Sequence, residues 1–214
     1  MDKQEIFLPV KITVEGGTGE IVEKKSKFIA NVAAVETVEQ ATEFIDSMKK
    51  KYWDARHNCS AFVLGEHNEI TRCSDDGEPS GTAGRPMLEV LLGQGLHNTV
   101  VVVTRYFGGV LLGTGGLVRA YTKAVQEGLA NSRIATQVYG CEVYLESDYN
   151  NIGKIQYILG KAGITEYQSE FTEIVKITAF LLQENKEEIL KEITQATAAR
   201  CKITEGNSEY RLLE

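Results

Sequence analysis

Apolar residues recur at every second position through Ile6, Leu8, Val10, Ile12 and Val14, the period of a strand with one buried face. Pro9 inside that run points to a sheet edge. Gly16-Gly17-Thr18-Gly19 reads as a turn, and IVEKKSKFIANVAAV resumes extended character, with Ser26-Lys27 dividing two apolar stretches. From Thr37 the period becomes helical: Val38, Ala41, Ile45 and Met48 share one face. Thr37 and Gln40 form a capping box, and Lys49, Lys50 and Lys51 sit where positive charge complements the helix dipole. Residues 58–64 (NCSAFVL) read as a strand, and TRCSDDGEPSGTAGRP as a polar, turn-rich connection. A helix is predicted over Ala83–Gln94, capped by Thr82, with Met87, Val90 and Leu91 on one face and Gly93 and Gly95 stopping it. Thr99–Thr104 (TVVVVT) is a continuous β-branched run, which predicts a central strand buried on both faces. Tyr106–Gly116 is a glycine-rich loop, and Leu117, Ala120, Tyr121 and Ala124 define the helix that follows it to Gly128.

After residue 136 the texture changes. Strands are predicted at Val138–Glu146, Ile164–Phe171, Ile174–Leu182 and, briefly, Glu209–Leu213, with helices at Tyr149–Ala162 and Glu184–Ala198. That order is the split βαβ of ferredoxin-like domains. A boundary near Ser132–Thr136 divides the chain into domains over 1–134 and 137–214, and the fold class is α+β. Tyr144, Tyr149, Tyr157 and Tyr167 are expected to serve as packing residues.

Charge sharpens this division. The 214 residues carry 23 basic and 30 acidic side chains, a net charge of −7. Residues 1–136 hold 15 basic and 17 acidic groups, whereas 137–214 hold 8 and 13. The acidity therefore belongs mainly to the second domain, and the first can carry a local basic site. Overall acidity argues against bulk coating of nucleic acid. No apolar run is long enough to span a membrane and the N-terminus lacks a secretory h-region, so a cytoplasmic protein is expected. Cys59, Cys73, Cys141 and Cys201 show no zinc-ribbon spacing and are expected as free, buried thiols.

Half of the 20 glycines fall between Gly77 and Gly116, and the candidate chemistry lies there. The buried strand delivers Arg105, Tyr106 and Phe107 to its end. Gly108, Gly109, Gly113, Thr114, Gly115 and Gly116 then lead into a helix N-terminus with Arg119 one turn further on. Unpaired N–H groups stripped of Cβ neighbours suit a phosphate, with the arginines adding contacts. A close-packed turn explains the same glycines equally well, and GTGG is neither a Walker A nor a dinucleotide fingerprint. A second loop holds Asp75, Asp76, Glu78, Ser80, Thr82 and Arg85. Its three carboxylates could hold a hard cation, but a solvated turn is the simpler expectation, and no metal site is expected. His57 and Asn58 precede Cys59; His57 and Cys59 share a strand face, yet Cys59 opens an apolar run and reads as a core thiol. His67 and His97 fall in turns. Tyr52 and Trp53 follow the lysine run. Such a pairing can bind single-stranded nucleic acid, although a solvated helix end with its aromatic packed into the core is the simpler expectation.

SKFIANV, DARHNCSAFVLG, SDDGEPSGTAGRPML and VVVVTRYFGGVLLGTGGLVRAY together resemble the bacterial YigZ/YvyE-type branch of the IMPACT family, over roughly residues 15–132. The resemblance implies an N-terminal domain like ribosomal protein S5 domain 2, a fold shared with elongation-factor domain IV and GHMP-type kinases. It also implies a C-terminal domain like the ferredoxin-like domains of elongation factor G. The family's eukaryotic member is a regulator of translation that competes for the activator of a stress-responsive initiation-factor kinase, through a different domain. Two functions stay open on this basis. One is a non-enzymatic, translation-associated regulator that binds RNA, the ribosome or a ribosome-associated protein through the N-terminal domain, with no cofactor. The other is an enzyme acting on a phosphorylated small molecule or nucleotide, with Mg²⁺ held by Asp75, Asp76 or Glu78.

Overall fold

The computed structural model describes residues 9–213 of the chain. Two compact units are present, one over Val10–Thr136 and one over residues 137–213. The predicted positions Ile6 and Leu8 lie outside the described residues; Val10, Ile12 and Val14 fall in β1 (Val10–Glu15). Pro9 immediately precedes β1, where its missing N–H costs no ladder bond.

The first unit continues with β2 (Thr18–Glu23), β3 (Ser26–Ala34), α1 (Val38–Lys51), β4 (His57–Leu64), β5 (Ile70–Ser74), α2 (Gly84–Gly93), β6 (Leu96–His97), β7 (Thr99–Tyr106) and α3 (Thr114–Ala130). Five of its strands form one sheet in the order β2-β3-β7-β4-β5, with antiparallel neighbours throughout. β1 pairs in parallel with β6, so His97 lies on a strand rather than in a turn.

The run predicted as a central strand is central for the expected reason. Val101 and Val103 enter a large cluster with Met87, Leu91, Tyr121 and Val125, formed by α2 and α3 on one face. Val100 enters a smaller cluster with Ala41 and Phe62, formed by α1 on the other. Thr37 caps α1 as read, accepting from the Gln40 N–H at 3.2 Å, while the Gln40 side chain accepts from the Glu36 N–H at 2.7 Å.

Several expectations fail here. Ile70–Ser74 is a strand, fully exposed and paired to β4 alone at the sheet edge; its polar side chains hid it, because an edge strand needs no buried face. The loop helix begins at Thr114, not Leu117, since Gly115 and Gly116 take helical conformation. Trp53 does not pack into the core but is 82% exposed. Cys73 is exposed as well, on the same edge strand.

β8 (Arg133–Ser147) carries the chain into the second unit. There follow α4 (Ile152–Lys161), β9 (Tyr167–Phe171), β10 (Val175–Leu182), α5 (Lys186–Ala196) and β11 (Lys202–Leu212). The antiparallel order β11-β8-β10-β9 is the ferredoxin-like arrangement predicted. The core side chains Cys141, Val143, Leu145, Ile177 and Leu181 alternate along β8 and β10 and meet Ile155, Leu159 and Ile193 of the helices. The last strand is far longer than the short one predicted at Glu209–Leu213. It bends at a bulge between Glu205 and Ser208, and this interrupts the alternation a sequence reading depends on. Tyr144, Tyr149 and Tyr157 are exposed rather than packed, while Tyr167 is partly buried against the core.

Candidate functional site

Strand register gathers the chemistry at one end of the first sheet. Lys27 pairs with Tyr106, His57 with Arg105, and Ser60 with Ser74. The β2–β3 hairpin at Lys24-Lys25, the segment before β4, the loop after β5 and the loop after β7 therefore all emerge at that end. The two candidate loops meet there through side chains of both.

Arg105 does not face solvent as an anion-binding group would. It continues the alternation of Val101 and Val103, and so lies on the face covered by α2 and α3, with its side chain 7% exposed. Its Nη1 donates to Glu78 Oε1 at 2.6 Å, and the Tyr121 hydroxyl donates to the same oxygen at 2.9 Å. Arg105 Nη2 lies 3.5 Å from Ser26 Oγ, which also accepts from the Gly108 N–H at 3.1 Å. The guanidinium sits 5.4 Å from the Phe28 ring centre and 5.5 Å from that of Phe107, and Phe28 meets Tyr121 edge-on. Its Nε is buried without a partner. Burying such a pair costs on the order of several kcal/mol per ion before attraction offsets it, so the pair fixes geometry more than it adds stability.

The three carboxylates of the second loop diverge to three tasks. Asp75 accepts from the N–H groups of Ala83 and Gly84 at the start of α2, at 3.0 and 2.8 Å, and from Gly81 at 2.8 Å. Asp75 is thus the cap of α2. Thr82, the predicted cap, instead donates to the Pro79 carbonyl at 2.7 Å, because Ala83 takes the N-cap position. Burial opposes the Asp75 charge, yet the three N–H groups outweigh it and hold the carboxyl below its ordinary range. Asp76 accepts from the Asn58 N–H at 2.7 Å and pairs with Lys49 at 3.1 Å, while its carbonyl lies 3.0 Å from His57 Nδ1. Glu78 serves Arg105. Among the described residues no three His, Cys, Asp or Glu side chains converge as metal ligands. Asn58, buried, accepts from the Thr104 hydroxyl at 2.7 Å. Arg85 pairs with Glu89 along α2, and Ser80 is exposed.

Cys59 is fully buried, with its Sγ 3.0 Å from the Asp75 carbonyl and 3.3 Å from the Tyr121 hydroxyl. Burial pushes its thiol up to about 12, with the Tyr121 hydrogen bond working against this and the nearby carboxylates adding to it. Burial likewise pushes the Tyr121 phenol far upward. Neither group is poised for nucleophilic or acid–base chemistry near neutral pH.

The start of α3 is open to solvent. Gly113, at φ +74, is its N-cap and offers no side chain, so the N–H groups of Thr114, Gly115 and Gly116 find no intrahelical acceptor. Gly116 borders a surface groove of ≈ 220 Å³, lined by Ile21 and Leu112 together with the charged Glu23, Lys24, Arg119 and Lys123. Of the residues singled out in the sequence, Arg119 and Gly116 reach the groove, whereas Gly108, Gly109, Gly113, Thr114 and Gly115 do not line it; Lys24 and Lys123 were missed. Lys24 had a readable signal. Lys24-Lys25 occupies the two-residue hairpin turn between Glu23 and Ser26, with φ +44 and +66, a turn that favours Asn-Gly. Gly108 lets the hairpin close against the following loop, since a Cβ there would collide with the Lys25 and Ser26 backbone.

Comparison with known proteins gives a consistent result. The Impact N-terminal domain model matches residues 24–129, and a domain of unknown function, DUF1949, matches 145–200. The chain is 41% identical to the IMPACT family member YvyE of Bacillus subtilis (strain 168), over 92% of this chain and 90% of that protein. It is 39% identical to the IMPACT family member YigZ of Escherichia coli (strain K12), over 74% and 78% of the two chains. It is 33% identical to Protein IMPACT-B of Xenopus tropicalis, over 56% of this chain and 40% of that one. A crystal structure of a hypothetical protein is 32% identical, covers 92% of this chain and 97% of its own, and superposes with a TM-score of 0.59.

Proposed function

This chain belongs to the IMPACT family, and from that premise we propose that it is a non-enzymatic, translation-associated regulator that binds RNA through the loop end of its N-terminal unit. The observation that carries this reading is the groove at the start of α3. Three cations, Lys24, Arg119 and Lys123, stand with one carboxylate beside Gly116, one of the three residues at the start of α3 whose backbone N–H groups lack intrahelical partners. Such an arrangement suits phosphate oxygens. The translation setting is supported by the fold class, which resembles that of ribosomal and elongation-factor domains, and this support is associational. The enzymatic alternative gains no support from the second loop, whose carboxylates each serve a separate structural task.

Co-sedimentation with ribosomes and filter binding to RNA test the proposal. RNA binding should weaken steeply with salt, and replacing Lys24, Arg119 and Lys123 together by glutamate should abolish it at moderate salt. Absence of association with both RNA and ribosomes at low salt would overturn the reading.

A further inference from the structure

The apolar side chains exposed at the loop end are the feature that phosphate binding leaves unused. Trp53 is 82% exposed and Phe107 53% exposed. They reach this end from different elements, Trp53 from the segment after α1 and Phe107 from the end of β7. The Tyr106 hydroxyl donates to Asp54 Oδ1 at 2.8 Å, which ties the Trp53 segment to the strand that ends at Phe107. Arg105 lies over the Phe107 ring from within. Both aromatics are thus presented on backbone that is held from behind. Neither leans on the core, so their exposure needs another explanation than packing.

Charge around them selects an occupant. Lys50, Lys51 and Arg56 are exposed beside Trp53. Of the carboxylates at the same end, Asp54 is engaged by Tyr106, Asp76 by Lys49 and Asn58, and Glu78 by Arg105, while Glu23 lines the α3 groove. Lys51 lies over the Tyr52 ring at 5.0 Å, and an apolar protein surface would gain nothing from the exposed charge of Lys50 and Arg56. An unpaired nucleotide would use both parts, its base against the ring and its phosphate against the cations.

We propose that Trp53 and Phe107 each offer a face on which an unpaired base stacks, so that the RNA this end takes is single-stranded. This rests on the reading that the N-terminal unit binds RNA, and names the form of RNA bound. A duplex keeps its bases stacked inside and offers these rings only phosphates. A single strand crossing the loop end would place phosphates at the α3 groove and bases on the aromatics.

The experiment uses the full chain, in which Trp53 is the single tryptophan and reports on its own environment. Emission is followed during titration with an oligouridylate of about 12 nucleotides, a matching RNA duplex, and inorganic polyphosphate. Oligouridylate should quench Trp53 emission saturably, whereas the duplex and polyphosphate should leave it nearly unchanged. Trp53→Leu should weaken oligouridylate binding by about five- to a hundredfold and leave polyphosphate binding intact, and Trp53→Phe should restore most of the loss. An exposed position makes these variants safe for folding. Saturable RNA binding with unquenched emission, or equal affinity in Trp53→Leu, would overturn the stacking while leaving the phosphate groove standing. Binding by neither RNA would overturn both.

Discussion

The two units use charge in opposite ways. In the first, Arg105 and Glu78 are shut beneath α2 and α3, with their side chains 7% and 3% exposed, and the oxygen they share is also claimed by Tyr121. In the second, Lys161–Glu192, Lys202–Glu146 and Arg211–Glu142 are all partly exposed outside an apolar core, and Lys186, largely covered, reaches an exposed Glu205. The buried polar side chains there, Ser147, Asn151 and Thr197, include local turn and helix-end bonds such as Thr197 to the Ile193 carbonyl. The second unit keeps its charges at the surface of an apolar core. The first accepts a desolvated ion pair, which ties the loop after β5 to the end of β7.

The strongest way to break that contrast is to unpair the buried ions. Glu78→Leu leaves Arg105 charged and unsatisfied, and should cost about 3–5 kcal/mol in chemical denaturation, as should Arg105→Met. The double variant should recover most of that loss, because no buried charge remains. In the second unit, Lys161→Ala should cost under ~0.5 kcal/mol, since that pair is solvent-screened. Equal losses in the two units would remove the distinction between them.

That ion pair also shows where sequence stops informing. Elements announced by their own periodicity are legible: α1 with its capping box, the valine run of β7, and the βαββαβ order of the second unit. The region of the candidate site stands out in the sequence by its glycine clustering, which is local. Its internal assignments are not legible. The partner of Arg105 is 27 residues away, and its burial follows from β7 being flanked by β3 and β4, a tertiary fact. Thr82 reads as a cap because it precedes the helix, yet the carboxylate that caps it comes from Asp75, folded back from the loop. Trp53 reads as core because tryptophan usually is, and nothing local says otherwise.

Asp75 offers a smaller test of the same contrast, one that pH can read. Its carboxylate ties three backbone N–H groups together, so Asp75→Asn should destabilise the first unit by about 1–2 kcal/mol at neutral pH. The folded pKa is lowered relative to the unfolded one. Its contribution is therefore complete above the unfolded value, near ~3.9, and is lost as pH falls through the folded value. Stability of the Asn variant should fall less steeply below about pH 4 than that of the natural chain. A parallel pair of curves, offset but equally steep, would show that the cap does not depend on the charge.

The β2–β3 hairpin gives the smallest effect and the sharpest separation of stability from function. Lys24 and Lys25 are both held at positive φ, where a side chain costs about 1 kcal/mol and Asn-Gly would sit without strain. Had the turn only to reverse the chain, Asn-Gly would serve better. Replacing Lys24 by Asn and Lys25 by Gly together should therefore raise stability by about 1 kcal/mol. The same change removes one wall cation from the α3 groove and a neighbouring charge, so RNA affinity should fall. The slope of log affinity against log salt should become shallower by about 0.7 for each phosphate no longer neutralised. A variant that gains stability and keeps its salt slope would show that the lysines are not there for the ligand. One that gains stability while its slope flattens would place the strain of this turn in the service of the surface it presents.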